Sequence, residues 1–334
     1  MSPLAPLALA YGGAAALRVE LYRRGWLPSV RLAGPVISVG NLSLGGSGKT
    51  PLVARVAELL RDHGLPVAVL SRGYGGRFRG PALLVSDGRA TLAGPEQCGD
   101  EPAMLAGMLP GVVVAVGRRR EQAGRMVEAR FGRRVHVLDD GFQHLRLART
   151  LDLLCLDAAD AGGRPLPAGR LREFPRAAER ADLVLLTQPG GEASEPLAAL
   201  SARIGAERLF QVRREVLGFF ALDGTPRPAP ARPFLVSGIA RPERFEADVG
   251  SRVAAQAGRA RFRDHHVYGG QEWSALVRRA RAAGADALVT TAKDAVRLPG
   301  QAGELPVLVL RIRAEIVDEA RFRARLLAAA ERAA

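Results

Sequence analysis

Residues 35–50 read PVISVGNLSLGGSGKT. An apolar run, Pro35 to Val39, ends in a glycine-rich turn that closes on Gly48-Lys49-Thr50. Leu52, Val53, Val56, Leu59 and Leu60 then recur at helical spacing. Strand, glycine loop, Lys-Thr and helix is the arrangement with which proteins hold nucleotide phosphates. Glycines let backbone N–H groups turn inward onto phosphate oxygens, and the helix N-terminus adds partial positive charge. The nucleotide-binding candidates are therefore Ser43, Leu44, Gly45, Gly46, Ser47, Gly48, Lys49 and Thr50. Lys49 is expected on the β- and γ-phosphates, and the Thr50 hydroxyl on Mg²⁺.

Of 48 basic residues only Lys49 and Lys293 are lysine, so a lysine placed after Gly-Ser-Gly is unlike compositional drift. One position departs from the strict pattern G-x-x-x-x-G-K-S/T: Ser43 stands where glycine is expected, with Gly40, Gly45 and Gly46 nearby. The net charge of +14 favours an anionic partner: nucleotide, nucleic acid or an acidic lipid surface. Cys98 and Cys155 offer neither metal spacing nor a disulfide framework, which suits a reducing compartment. Residues 3–17 carry no charge but fall short of the roughly 20 residues a spanning helix needs. Arg18, Arg23, Arg24 and Trp26 follow. By itself this segment reads either as an interfacial membrane anchor or as a helix packed on the protein.

With 334 residues the chain has room for two domains. Apolar runs at 35–39, 67–71, 112–116, 135–138, 152–156 and 182–187 alternate with helical patterns, as in a parallel, doubly wound α/β sheet. Extended segments are expected at 208–215 and 218–223, followed by a Pro-rich stretch. A second α/β series then runs from 234, with a closing helix at 316–331. The expected fold is a P-loop NTPase-like parallel-sheet domain (31–207) with an N-terminal segment (1–30), and a smaller α/β domain with the C-terminal helix (233–334). Ligands are expected in the cleft between them.

Other constellations bear chemistry. In Asp139-Asp140-Gly141-Phe142-Gln143-His144, an apolar strand ends in two acids, which repel unless a cation sits between them. Asp139 and Asp140 are thus metal candidates beside Thr50. Asp100, in Gly99-Asp100-Glu101-Pro102, stands where a helix begins, as an N-cap or as a base near the phosphates. Asp264-His265-His266 pairs histidine with a carboxylate, a combination suited to proton handling, and only one of the two rings can face a cleft. Arg72 follows a strand end. Arg118, Arg119 and Arg120 follow another, where one arginine can neutralise a transferring phosphate.

Taken together, SVGNLSLGGSGKTP, SRGYGG, DEP, DDGFQH, LPAGRLRE, SGIARPERF, DHHVY and TTAKDAVRL resemble one family, the tetraacyldisaccharide 4′-kinases. The resemblance spans about residues 35–300 in one order. It implies ATP- and Mg²⁺-dependent phosphorylation of the 4′-hydroxyl of a tetraacylated glucosamine disaccharide 1-phosphate, forming lipid IVA. It places the chain as a peripheral or monotopic protein at the cytoplasmic face of a Gram-negative inner membrane, with residues 3–24 associating with the lipid surface and no nucleic-acid partner. It also implies a two-stranded β linker, for which 208–232 and 305–313 are the candidates. By motif, Asp100 is the base, His265 its partner, and Lys49 and Arg119 assist transfer. Arg72, His144, Arg172 and Glu173 contact substrate or nucleotide.

Rival readings lack their signatures. A GTPase needs Asn-Lys-x-Asp, and Ala292-Lys293-Asp294 does not supply it. A partitioning-type ATPase that binds DNA carries a lysine just before Gly-Gly, where this chain has Leu44.

Overall fold

A computed structural model describes residues 3–44, 48–187, 195–299 and 305–331. The chain opens with α1 (Ala5–Arg23). There follow β1 (Val36–Asn41), α2 (Lys49–Asp62), β2 (Val67–Ser71), β3 (Leu83–Ser86), α3 (Pro95–Cys98), α4 (Asp100–Met108), β4 (Val113–Val116), α5 (Arg120–Phe131), β5 (Val135–Asp139), β6 (Leu151–Asp157) and β7 (Leu183–Thr187). After α6 (Glu195–Ile204) come β8 (Leu209–Ala221), β9 (Pro226–Arg227), β10 (Phe234–Ser237), α7 (Pro242–Gly250), β11 (Gly258–Arg261), α8 (Gly270–Ala282), β12 (Leu288–Thr291), α9 (Ala292–Ala295), β13 (Val307–Ile316) and α10 (Glu319–Glu331).

The strands form one curled sheet in the order β3-β4-β2-β5-β1-β6-β7-β8-β13-β12-β10-β11, with β9 beside β8. Pairing is parallel except at β3/β4, β8/β9 and β8/β13. The sequence pattern shows why. In β2, Val67 and Val69 enter one core cluster while Ala68 and Leu70 enter another on the opposite face. A strand that is apolar on both faces needs helices above and below it. The N-terminal strands run at 36–41, 67–71, 113–116, 135–139, 151–157 and 183–187, close to the runs read from sequence. The short edge strand β3 was not among them.

The two extended segments expected at 208–215 and 218–223 are one continuous strand, β8, antiparallel to β13 from Val212↔Ile316 to Ala221↔Leu308. Gly218 bridges them at φ +119, a backbone angle that favours glycine. The closing helix α10, grouped by sequence with the second half, packs on the first. Phe322, Leu326, Ala329 and Ala330 join the cluster built on Ile37, Leu52 and Leu60, and the Phe322 ring meets Phe210 edge-on at 5.4 Å. Among the described residues, no helix is long and apolar enough to cross a membrane.

Two histidines pack around α5, His136 buried and His144 half-buried. His136 Nε2 lies 3.0 Å from Glu128 Oε1. His144, expected among the substrate contacts, instead lies 3.5 Å from Glu121 on α5 and does not line the cleft. Its chain neighbour Gln143 faces the cleft, and in a tight turn the next side chain leaves in another direction. Burial, with Arg120 close by, pushes the His144 imidazole down to about 4, and burial lowers His136 as well. The unfolded chain protonates these rings below about 6.5, whereas folded His144 stays neutral to about 4. Stability is therefore at its full value above that range and falls as pH drops through it. Urea unfolding at stepped pH is expected to show a loss on the order of 1–3 kcal/mol from this group, and His144→Gln should flatten the slope.

Candidate active site

The phosphate loop is anchored before it begins. At Gly40, a Cβ would stand 2.6 Å from the Phe142 backbone N and Cβ, so only glycine lets β1 and the turn after β5 approach this closely. Ser43, the departure from the strict pattern, uses its side chain: its Oγ donates to buried Asp160 Oδ2 at 2.9 Å, and its carbonyl accepts from Asn41 Nδ2 at 2.8 Å. Leu44 N donates to Arg170 O at 2.8 Å, and Arg172 N to Leu42 O at 2.7 Å, so the LPAGRLRE segment braces the approach to the loop. Gly45, Gly46 and Ser47 lie outside the described residues. Gly48, at φ +76, leads into α2, whose first residues Lys49 and Thr50 line a cleft of about 1130 Å³. Lys49 Nζ donates to Asn41 Oδ1 at 3.0 Å and to Asp140 Oδ1 at 2.5 Å.

The paired acids occupy different environments. Asp139 ends β5 and is buried. Its Oδ2 accepts from Ser71 Oγ at 2.8 Å, while its Oδ1 is buried with no partner, and burial pushes its carboxyl upward. Asp140, at φ +55, faces the cleft. Burial alone would raise its carboxyl, but Lys49 and Arg172 outweigh that effect and hold it low. Arg172 Nη1 reaches both its oxygens, at 2.9 and 2.8 Å. Glu101, which the sequence reading passed over, lines the same cleft. Burial, then the Asp139 charge, pushes it up to about 7. Three carboxyl groups thus crowd one space. One holds an unpaired buried oxygen, and the Thr50 hydroxyl residue stands nearby on the cleft wall. Oxygen donors are the ligands a hard divalent cation takes, although among the described residues no three acidic or histidine side chains stand close enough to hold one by themselves.

Gln143 links Glu173 to Arg172, which itself holds Asp140. Gln143 Oε1 accepts from Arg172 at 3.2 Å, and its Nε2 donates to Glu173 Oε1 at 3.1 Å. Glu173 is buried and gripped by Arg180, whose guanidinium lies 3.7 Å over the Phe142 ring. Arg72 is exposed and lines the cleft. Arg119 does not line it: it is exposed and precedes α5. Its neighbour Arg120 is the buried one, with Nη2 at 3.5 Å from the Asp139 carbonyl and 3.4 Å from that of Asp140. Three consecutive arginines give no spacing signal to choose among them: Arg119 stands before the helix in extended backbone, and Arg120 is the first helical residue.

From the other side of the cleft comes His265. Its Nδ1 lies 2.7 Å from Asp100 Oδ2. Asp100 is the first residue of α4 and makes no capping bond, so its side chain is spent on this contact. It is 1% exposed and also ion-paired to Arg297. His265 remains 38% exposed, and its Nε2 is 3.3 Å from Lys293 Nζ. Lys293 is also bonded to Asp264 Oδ1 at 2.8 Å. His266 points elsewhere, to Glu272 at 2.8 Å, and stacks on Phe262. The structure thus brings Lys49, Thr50, Asp100, Asp139, Asp140 and His265 to one cleft, adds Glu101 and Lys293 to its wall, and sets Arg120 and Arg297 against the aspartates that line it. Lys293 carried a usable signal: it is the chain's only other lysine.

Residues 1–331 match the family described as tetraacyldisaccharide-1-P 4′-kinase. A tetraacyldisaccharide 4′-kinase of Desulfotalea psychrophila is 41% identical over 319 residues, covering 93% of this chain and 92% of that one. One from Geobacter metallireducens is 41% identical, covering 88% of each. One from Anaeromyxobacter dehalogenans is 44% identical, covering 88% of this chain and 81% of that one. Among solved structures, the "apo" form of LpxK from Aquifex aeolicus in complex with ATP superposes with a TM-score of 0.81 at 30% identity, covering 98% of both chains. The chain belongs to the tetraacyldisaccharide 4′-kinase family.

Proposed function

We propose that this protein transfers the γ-phosphoryl group of ATP to the 4′-hydroxyl of a tetraacylated disaccharide 1-phosphate, at the surface of a membrane. The observation that carries the reading is the meeting of Asp100 and His265 in the cleft that Lys49, Thr50 and the paired aspartates also line. Phosphoryl transfer asks little covalent chemistry of a protein. It needs alignment of acceptor and phosphorus, and charge placed where the transition state is anionic.

Each residue then has work that its surroundings suit. Lys49, held by Asn41 and Asp140 at the start of α2, carries positive charge at the transferred group. Arg120 adds charge behind the acids, and Arg72 faces incoming anions at the cleft wall. Thr50 and Asp139 would hold Mg²⁺, with Asp140 beside them, and the ion supplies charge neutralisation on the phosphate oxygens when bound. Arg172, Gln143, Glu173 and Arg180 form the chain of contacts that fixes Asp140. The Asp100–His265 pair takes the hydroxyl proton as the acceptor oxygen bonds to phosphorus and the bond from phosphorus to the bridging oxygen of ADP breaks.

The acceptor is a lipid, and α1 is built to meet one. Ala8 and Gly12 pack inward, and a Cβ at Gly12 would strike the Phe174 ring at 2.5 Å. Tyr11, Ala15, Arg18 and Val19 line the cleft, while Leu7, Leu9, Leu17 and Trp26 are exposed. Apolar side chains exposed along the helix, with Arg23 and Arg24 at its end, suit a segment lying in the headgroup boundary of a cytoplasmic membrane leaflet. This helix delivers the fatty acceptor to the cleft it also lines.

Incubating the purified protein with γ-³²P-ATP, Mg²⁺ and the tetraacyl disaccharide 1-phosphate in mixed micelles should label the glycolipid. ATP binding without any label on the lipid would refute the kinase reading. Asp100→Asn is expected to lower kcat by about 10²–10⁴-fold with ATP affinity nearly unchanged. Near-parent turnover would remove Asp100 from the base role. Replacing Leu7, Leu9 and Leu17 together by Gln should reduce partitioning onto anionic phospholipid vesicles, by about thirtyfold if some 2 kcal/mol of apolar burial is lost. Unchanged partitioning would refute the anchor.

A further inference from the structure

The turn after β12 sends two cations toward the Asp100–His265 pair, and neither belongs to the phosphate loop. Arg297 makes the more specific set of contacts. Its Nε is ion-paired to Asp100 Oδ1, its Nη2 lies 3.3 Å from His265 Nδ1, and its Nη1 donates to the His266 carbonyl at 3.3 Å. One planar guanidinium therefore touches the carboxylate, the imidazole, and the backbone that carries the imidazole. The Arg297 side chain is 12% exposed and that of Asp100 is 1% exposed.

Stability alone does not account for this arrangement. The desolvation of a buried carboxylate–guanidinium pair offsets much of its Coulomb attraction. A second cost falls at the same point: His265 adopts φ +65, a left-handed backbone that residues other than glycine seldom take. Arg297 contacts the groups that bear both costs. Its own turn is pinned from behind by buried Asp294. That carboxylate accepts from Thr291 Oγ1 at 2.7 Å, Gly238 N at 3.0 Å and Tyr268 OH at 3.2 Å, while Arg297 N donates to Asp294 O at 2.9 Å. The guanidinium thus sits on a rigid mount in the C-terminal half and grips a side chain of the N-terminal half.

We propose that Arg297 is a positioning residue for phosphoryl transfer: by occupying Asp100 Oδ1 and bracing the His265 backbone, it keeps Oδ2 and Nδ1 paired in the one orientation from which the acceptor's proton is taken. The chemistry of this inference rests on the kinase reading, and its geometry rests on the contacts alone. Lysine is a poor substitute, because a point charge on a flexible stem does not reproduce two N–H groups directed at once to the Asp100 carboxylate and the His266 carbonyl.

The test compares Arg297→Ala, Arg297→Lys and Arg297→Gln in the full chain, with thermal unfolding to identify folded variants. Expected is a fall in kcat of about 10²-fold in each, with KM for ATP and for the glycolipid within about threefold of the parent. Millimolar guanidinium chloride should restore the activity of Arg297→Ala by about tenfold while leaving His265→Ala unrescued. In proton–nitrogen NMR of the parent, the Nδ1 proton of His265 (identified by its loss in His265→Ala) should be visible, and it should disappear or shift in Arg297→Ala. A folded Arg297→Lys or Arg297→Gln with parent kcat overturns the inference. So does a raised KM for ATP with kcat retained, which would make Arg297 a nucleotide contact. If the parent itself never labels the glycolipid, the kinase reading fails separately. The NMR comparison then decides the positioning role, and an unchanged His265 resonance overturns it.

Discussion

The site depends on how β1 and β5 lie against each other. Their parallel register sets Val39 beside Asp139, so the strand that feeds the phosphate loop and the strand that ends in acids finish at the same level of the sheet. Gly40 permits the close approach, because any side chain there would collide with Phe142. Lys49 then spans the gap to Asp140 at 2.5 Å. Shift that register by one residue and every side chain of β5 changes face, which would bury the wrong aspartate.

The two aspartates show how identical chemistry is split by environment. Asp139 is buried against Ser71 with one oxygen left unpartnered, while Asp140 is neutralised by a lysine and an arginine. A carboxylate with an orphaned buried oxygen is costly to keep, and a cation at the phosphates would relieve that cost. Glu101, pushed up to about 7 in the same space, adds to the crowding of negative charge.

The second half of the chain reaches this point through the sheet itself. Antiparallel pairing of β8 with β13 makes the sheet continuous and turns the C-terminal strands so that the loops after β11 and β12 face α4. Those loops deliver His265, Lys293 and Arg297 to Asp100. The C-terminal helix then returns to the first half and packs Phe322 on Phe210, tying the last residues of the chain to the core beneath the phosphate loop.

Much of this was legible in the residues. The phosphate loop, the acid pair, the α/β alternation and the strand positions follow from local periodicity and spacing, because a strand, a glycine turn and a helix start are properties of consecutive residues. The residues also marked Asp100 and an Asp-His-His run as chemistry, and the family resemblance alone joined Asp100 to His265. Choices that depend on directions in space were not legible. Arg120 rather than Arg119 lies behind the acids because the chain turns from extended to helical backbone between them, and His144 faces Glu121 because its neighbour takes the cleft. His265 rather than His266 meets Asp100 because its backbone turns left-handed. Arg297 enters the site only because the sheet folds its turn back across about 200 residues of chain to Asp100. The sequence by itself determined which chemical groups the protein owns and which local elements carry them. Tertiary structure alone decided which groups touch, since contact between distant segments is set by sheet register and helix phase, and neither is written in any one stretch of residues.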